Sequence, residues 1–179
     1  LICFAKGVNS GYVPLGGVVI SQKIADSFKD RVYPGGLTYS GHPLACAAAV
    51  ASINIFKEEK IVENARTIGE TVIKPELAKL KDKHPSVGDV RGLGVFWAVE
   101  LVRDRATRKP LVPFNATGAD NKPMLDFAAA CKKNGLWPFT HFNRTHVAPP
   151  CTVNADEIRE GIAILDEALS VADSYYEGK

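Results

Sequence analysis

Two hydropathy periods alternate along this chain. Leu1, Ile2, Cys3, Phe4 and Ala5 form an unbroken apolar run, the pattern of the end of a buried strand, and "PLGGVVIS" predicts a second short buried strand after a glycine-rich stretch. Ser21 is placed to cap a helix from about Gln22 to Lys29. A polar loop, "YPGGLTYSGHP", precedes Pro43, which suits the first turn of a long helix through "LACAAAVASINIFKEE"; small residues such as Ala45, Ala48 and Ala49 predict close packing on one side. Ile61, Val62, Ala65, Ile68 and Val72 recur at spacings of three and four, with Pro75 expected to kink or interrupt that helix before Leu77 and Leu80. Val95 to Val102 is rich in β-branched and aromatic residues, and Gly92 and Gly94 mark a bend before it.

The next segment, "DRATRKPLVPFNATGADNKP", reads as an exposed excursion leading to a helix from about Met124 to Lys133, ended by Gly135. "LWPF" and "THVAPP" are short strand candidates. Asn154 caps a last helix whose Ile158, Ile162, Leu165, Leu169 and Ala172 form one apolar stripe. No internal repeat or low-complexity segment interrupts this order.

Composition narrows the class. The chain has 179 residues, 46% of them hydrophobic and 23% charged, which is ordinary globular material with enough apolar side chains for a core. Its net charge of +2 comes from 22 basic and 20 acidic residues spread along its length, so no single-sign face offers itself to nucleic acid or to an anionic membrane. No apolar run reaches membrane-spanning length. Cys3, Cys46, Cys131 and Cys151 are far apart, without a CxxC pair or histidines at ligand spacing, which predicts reduced thiols, a cytoplasmic setting and no metal. Asn115-Ala-Thr117 and Asn143-Arg-Thr145 match the glycosylation sequon, but no signal-peptide pattern precedes them. His42, His84, His141 and His146 lack cysteine or carboxylate companions at ligand spacing and are read as structural.

One residue stands out against this background. Lys6 sits between the first apolar run and the glycines of "FAKGVNSGYVPLGG", where an ammonium is costly unless paired, deprotonated or chemically modified. From the pattern alone it is either a snorkelling surface cation or a Schiff-base amine with room beside it for a flat ring.

"FAKGVNSGYVPLGGVVIS", then "GLTYSGHPLACAAAVASI", then "VGDVRGLGVFWAVELV" resembles the second half of a class III, pyridoxal-phosphate-dependent aminotransferase of the ω-amino acid:pyruvate type, and the resemblance extends to the final helix. It implies the α/β type I fold of the PLP-dependent transferases, seen in part: residues 1–58 as the end of the large cofactor-binding domain and residues 59–179 as a small C-terminal α+β domain. It implies that Lys6 binds the cofactor covalently and acts as general base, and that Thr38 binds the cofactor phosphate of the partner subunit in a homodimer. Without the resemblance, Thr38 reads as a turn-stabilising hydroxyl. Arg144, in "NRTHVAPP", matches a mobile arginine that grips a substrate carboxylate, although an exposed arginine without a fixed partner is the alternative. Arg91 matches a family arginine read here as holding the small domain together. "GLGVFW" enters a strand rather than opening a helix and is no nucleotide loop.

The activity so implied moves an amino group from an amine or ω-amino acid to a keto acid such as pyruvate. In the family the first half of the chain supplies the aspartate at the pyridine nitrogen, the stacking aromatic residue and a phosphate-binding loop. Only five residues precede Lys6, so these groups are expected to lie outside this chain, which on its own is expected to be nearly inactive. A non-catalytic binding module and other class III chemistries, aminomutation or decarboxylation, stay open at this stage.

Overall fold

The structure, a computed structural model, describes residues 1–178 and divides into two compact units, the first Leu1–Ile61 and the second from Val62 onward. In the first, β1 (Ile2–Ala5) and β2 (Gly16–Val19) pair antiparallel, Ile2 opposite Val19 and Ala5 opposite Gly16. The apolar runs do form strands, but not buried ones: Leu1 is 78% exposed, Ile2 66% and Val18 53%. Two strands alone bury neither face, and among the described residues no third strand joins them.

The helix α1 spans Gln22–Asp26, shorter than the expected run to Lys29, because Ser27, Phe28 and Lys29 each donate to the carbonyl three residues back and tighten the chain into turns. Ser21 occupies its N-cap, yet its side chain accepts no capping bond. The helix α2 (Pro43–Glu58) carries Pro43 in its first turn, where a missing N–H leaves no intrahelical bond unmade.

The second unit begins with a nearly continuous helical path: α3 (Ile61–Ile68), a π turn (Gly69–Ile73) and α4 (Lys74–Lys83). Pro75 does not break it. The irregularity lies one turn earlier, and Pro75 takes the first turn of α4. The cause is visible at Gly69, where an added Cβ would stand 2.0 Å from the carbonyl oxygen of Gly94, the left-handed turn residue (φ +55°) of a β-hairpin. Trp97 Nε1 donates to that same oxygen at 2.7 Å and holds the turn against the helix.

That hairpin joins β3 (Val87–Leu93) to β4 (Phe96–Asp104). With β5 (Lys109–Pro110), β6 (Phe139–His141) and β7 (Arg144–Val147), they form an antiparallel sheet of order β3-β4-β7-β6, with β5 on β4. The residues of β3 before the Gly92–Gly94 bend were not expected to form a strand, because Gly88 and Gly92 dilute the β pattern. Those glycines are where the side chains of Val102 and Trp97 cross, leaving no room for a Cβ. Arg91 ties the β3–β4 pair through Asp89 (2.7 Å) and Glu100 (2.8 Å).

One face of this sheet is the core wall. Trp97, Val99 and Leu101 of β4 point inward, opposite Phe127 and Cys131 of α5 (Lys122–Lys133) and the stripe Ile158, Ile162, Leu165, Leu169 and Ala172 of α6 (Ala155–Asp173). Ile73, Leu77 and Leu80 complete it. Each large side chain so buried contributes about 1.5–3 kcal/mol, so this cluster outweighs every exposed ion pair of the unit. Burial also pushes the Cys131 thiol up to about 11, keeping it protonated. Asn154 opens α6 with a full capping box: its side chain accepts from the amides of Asp156 (2.9 Å) and Glu157 (3.0 Å), and Glu157 returns a bond to the Asn154 amide (2.9 Å). Among the described residues no helix is long and apolar enough to cross a membrane.

The close approach of Gly69 to Gly94 yields a test. Gly69→Ala should destabilise the second unit by about 1–3 kcal/mol in urea unfolding, since backbone rather than a flexible side chain must give way. Gly161→Ala, at a helical site with open space around it, should be neutral or stabilising by up to about 1 kcal/mol. A neutral Gly69→Ala variant would mean that the contact is slack.

Candidate functional site

Lys6 opens a 3₁₀ turn, Lys6–Asn9, directly after β1. Its backbone is left-handed at φ +47°, as is that of Ser10 at +54°. For residues with a Cβ this conformation costs about 1–2 kcal/mol each, so the surrounding chain must impose it. Asn9 does so: it is 1% exposed and its Nδ2 donates to the Val13 carbonyl at 2.6 Å, closing the loop from inside. The turn packs against α2, whose buried residues are Ala45 and Ala49, small enough to let backbone approach backbone. The sequence reading passed over Asn9. Its signal was there in "VNSG", an amide between glycines, the residue type that bonds its own turn.

The setting differs from the buried one expected for Lys6. The side chain is exposed, and among the described residues its amine makes no hydrogen bond or ion pair. A Cβ added at Gly7 or Gly11 would meet nothing within 4 Å, so the space flanking the amine is open. An unpartnered primary amine on a strained turn, with open glycines alongside, is the donor set that a planar aldehyde requires. These residues fit such a group.

Thr38 lies at the second position of a turn closed by the Ser40 amide on the Leu37 carbonyl at 3.0 Å. The backbone holds this turn, so the Thr38 hydroxyl is not its stabiliser; among the described residues that exposed hydroxyl has no partner. Beside it, a hollow of about 430 Å3 runs between Val13 and Pro14 on one side and Leu37, Tyr39 and His42 on the other. Neither Lys6 nor Thr38 lines it.

Arg144 belongs to the second unit. The sequence placed it in a polar loop; it is a half-buried residue of β7, opposite Glu100 of β4 and His141 of β6. The loop residues are Phe142, left-handed at φ +54°, and Asn143, which turn the hairpin. The Glu100 carboxylate beside it is held by Arg91. One guanidinium nitrogen of Arg144 reaches His141 Nδ1 at 3.3 Å, its plane stands 5.7 Å from the Phe142 ring, and its Nε is buried with no hydrogen-bond partner among the described residues. A planar cation with an unused donor is suited to a bidentate oxyanion.

A separate apolar groove of about 240 Å3 runs between the β6–β7 hairpin and α6, lined among others by Trp137, Phe139, Ile158 and Ile162. None of the three residues singled out above lines it. Among the described residues no three His, Cys, Asp or Glu side chains gather in a way that could hold a metal ion.

Known proteins share this sequence and this fold. The chain is 33% identical over 177 residues to the 4-aminobutyrate aminotransferase GabT of Escherichia coli, covering 96% of this chain and 38% of that one. It is 36% identical over 174 residues to the 5-aminovalerate aminotransferase DavT of Pseudomonas aeruginosa, covering 94% and 37%. Among solved structures, the taurine:2-oxoglutarate aminotransferase of Bifidobacterium kashiwanohense, in complex with PLP and glutamate, superposes with a TM-score of 0.87 at 37% identity, covering 96% of this chain and 38% of that one. Thus the chain spans a little over a third of the length of these relatives, and the likeness to transaminase structures gives it the fold of the PLP-dependent transferases. The pattern of the family described as "Aminotransferase class-III" matches residues 1–169, and the chain belongs to that family.

Proposed function

We propose that this chain carries the covalent lysine of a pyridoxal-phosphate-dependent transaminase, which moves an amino group from an amine or ω-amino acid to a keto acid such as pyruvate. The observation that carries the reading is Lys6: an exposed amine without a partner, on a left-handed turn, inside the matched family region. The donor class draws support from the relatives, whose names specify 4-aminobutyrate, 5-aminovalerate and taurine.

Bound pyridoxal phosphate would supply the aldehyde and the electron sink. Lys6 would hold it covalently through Nζ and would serve as the base that removes a proton from the donor's amine-bearing carbon. The left-handed turn sets the direction in which the Lys6 side chain leaves the backbone, and among the described residues no side-chain partner competes for the amine. Thr38 donates its hydroxyl to a phosphate oxygen across a homodimer interface; the support is a hydroxyl that its own turn does not use. Arg144 grips the substrate carboxylate with the donors that His141 leaves free. Residues 1–58 close the large cofactor-binding domain and 59–179 form the small C-terminal domain, which the division into compact units at Ile61 and Val62 supports. A cytoplasmic setting fits four free cysteines.

Two experiments test this reading. Borohydride reduction after loading with pyridoxal phosphate and removal of the unbound excess, followed by peptide mass mapping, should place the pyridoxyl group on Lys6. Thr38→Ala should lower the fraction labelled roughly tenfold, as the loss of one charge-assisted hydrogen bond of about 1.5 kcal/mol implies. Label on a different lysine would sink the assignment, and unchanged retention would remove Thr38 from the phosphate site. For Arg144, the Arg144→Ala variant, measured in an enzyme that also carries the N-terminal half the family supplies, should raise KM for keto acids and carboxylate-bearing donors about tenfold or more while sparing simple amines. Equal loss for both donor classes would make Arg144 structural.

A further inference from the structure

His84 is the residue that the sequence reading set aside and that the structure buries most completely among its histidines. It ends α4, its side chain is 3% exposed, and both ring nitrogens meet carboxylates of α6: Nδ1 lies 2.6 Å from Asp173 Oδ2 and Nε2 lies 2.5 Å from Asp166 Oδ1. The two acids are seven residues apart, two turns along one helix face, and the ring spans the gap. Asp173 Oδ1 also accepts from the Ser86 amide (3.1 Å) and hydroxyl (2.6 Å), and Asp166 accepts from Lys83 at 2.6 and 2.7 Å. Arg105 faces the backbone of this corner and donates to the carbonyls of His84, Lys81 and Val87.

An ionised carboxylate only accepts hydrogen bonds, and a neutral imidazole offers one N–H and one lone pair. A singly protonated ring here would press its lone pair against a carboxylate oxygen only 2.5 or 2.6 Å away, with one partly buried carboxylate left without a donor from the ring. With a proton on each nitrogen, the ring and Lys83 balance Asp166 and Asp173, two charges against two, and every facing oxygen has a donor. Asp166 supports the ionised assignment: burial pushes its carboxyl up, but the hydrogen bonds from His84 and Lys83 outweigh it and hold the group below the ordinary carboxylate range.

We propose that His84 carries protons on both ring nitrogens at neutral pH and acts as a cationic rivet that sets the register of α6 against the end of α4 and seats the segment that follows Asp173. Apolar packing alone would allow α6 to slide by one turn along the core wall, because its stripe repeats; two carboxylates read by one rigid ring admit a single setting. The seat matters for the last residues. Directly after Asp173, Tyr175 Oη donates to Asp126 at 2.5 Å, the Glu177 and Gly178 amides donate to the Arg103 carbonyl, and the Glu177 carboxylate takes Arg103 and Lys109. His84 thus acts through Asp173 on a strap that crosses from α6 to β4 and α5.

The test is spectroscopic. In the 179-residue chain with 15N-labelled histidine at pH 7, assigned by the signals lost in His84→Gln, both His84 ring nitrogens should show proton-bearing shifts; one lone-pair nitrogen would overturn the proposal. Asp173→Asn sets an amide N–H against Nδ1, so the ring should give up that proton, and the amides of Tyr175 to Gly178 should exchange about tenfold faster while Val99 and Leu101 keep their protection. A folded Asp173→Asn variant with an unaltered ring spectrum or an unaltered strap would reject it. Should that variant not fold, Asp166→Asn asks the same of Nε2, and the spectrum of the unsubstituted chain decides by itself.

Discussion

The inward face of β4 is the constraint on which the second unit depends. Trp97, Val99 and Leu101 share one buried cluster with side chains of α5, α6 and the α3–α4 path, and the neighbouring features answer to it. The β3–β4 turn must be tight so that Trp97 can reach back to the Gly94 oxygen; the turn then presses on Gly69, and the helix accommodates it with a π turn. On the other side, α6 brings its stripe to the same surface, and β7 pairs with β4 in the register that puts Thr145 inward and Arg144 outward. The side chain proposed to bind substrate, Arg144, therefore stands on the strand next to the core wall, on the opposite face of the sheet.

The first unit solves a different problem. It holds little buried apolar surface, and its long helix is apolar on nearly every side, with Leu44, Val50, Ile53 and Ile55 all exposed. What order it has around Lys6 comes from local devices: Asn9 bonding within its own loop, two left-handed residues, and alanines that let the turn settle on α2. Such a site places an amine with little apolar packing behind it. It also leaves the amine without a competing partner among the described residues, which suits the covalent role proposed for it.

Much of this was legible from residue order. The start of α2 follows from Pro43, the end of α5 from Gly135, and α6 from its Asn154 cap and its apolar stripe, which is buried as its spacing requires. Lys6 stands out by its place between an apolar run and glycines, but it gains a chemical role, as Thr38 does, only through a family resemblance, since a lysine before glycine and a threonine in a turn have commonplace structural readings. What stayed hidden depended on partners distant in sequence. Nothing near His84 announces Asp166 or Asp173, which lie more than eighty residues away, and β3 looks like a bent loop until Val102 and Trp97 are known to cross its glycines. The exposure of β1 could not be read either, because an apolar run records what a strand is suited to and not what covers it.

Stability in this chain is concentrated around β4, while Lys6 is held by a local, lightly packed turn. Amide hydrogen exchange across the chain separates the two. Exchange should be slowest at Val99, Leu101 and the α6 amides from Ile162 to Leu169, and fast across Ile2–Ala5 and Gly16–Val19. Equal protection of the two strand sets would contradict it, and would mean that the turn carrying Lys6 rests on a core as cooperative as that of the second unit.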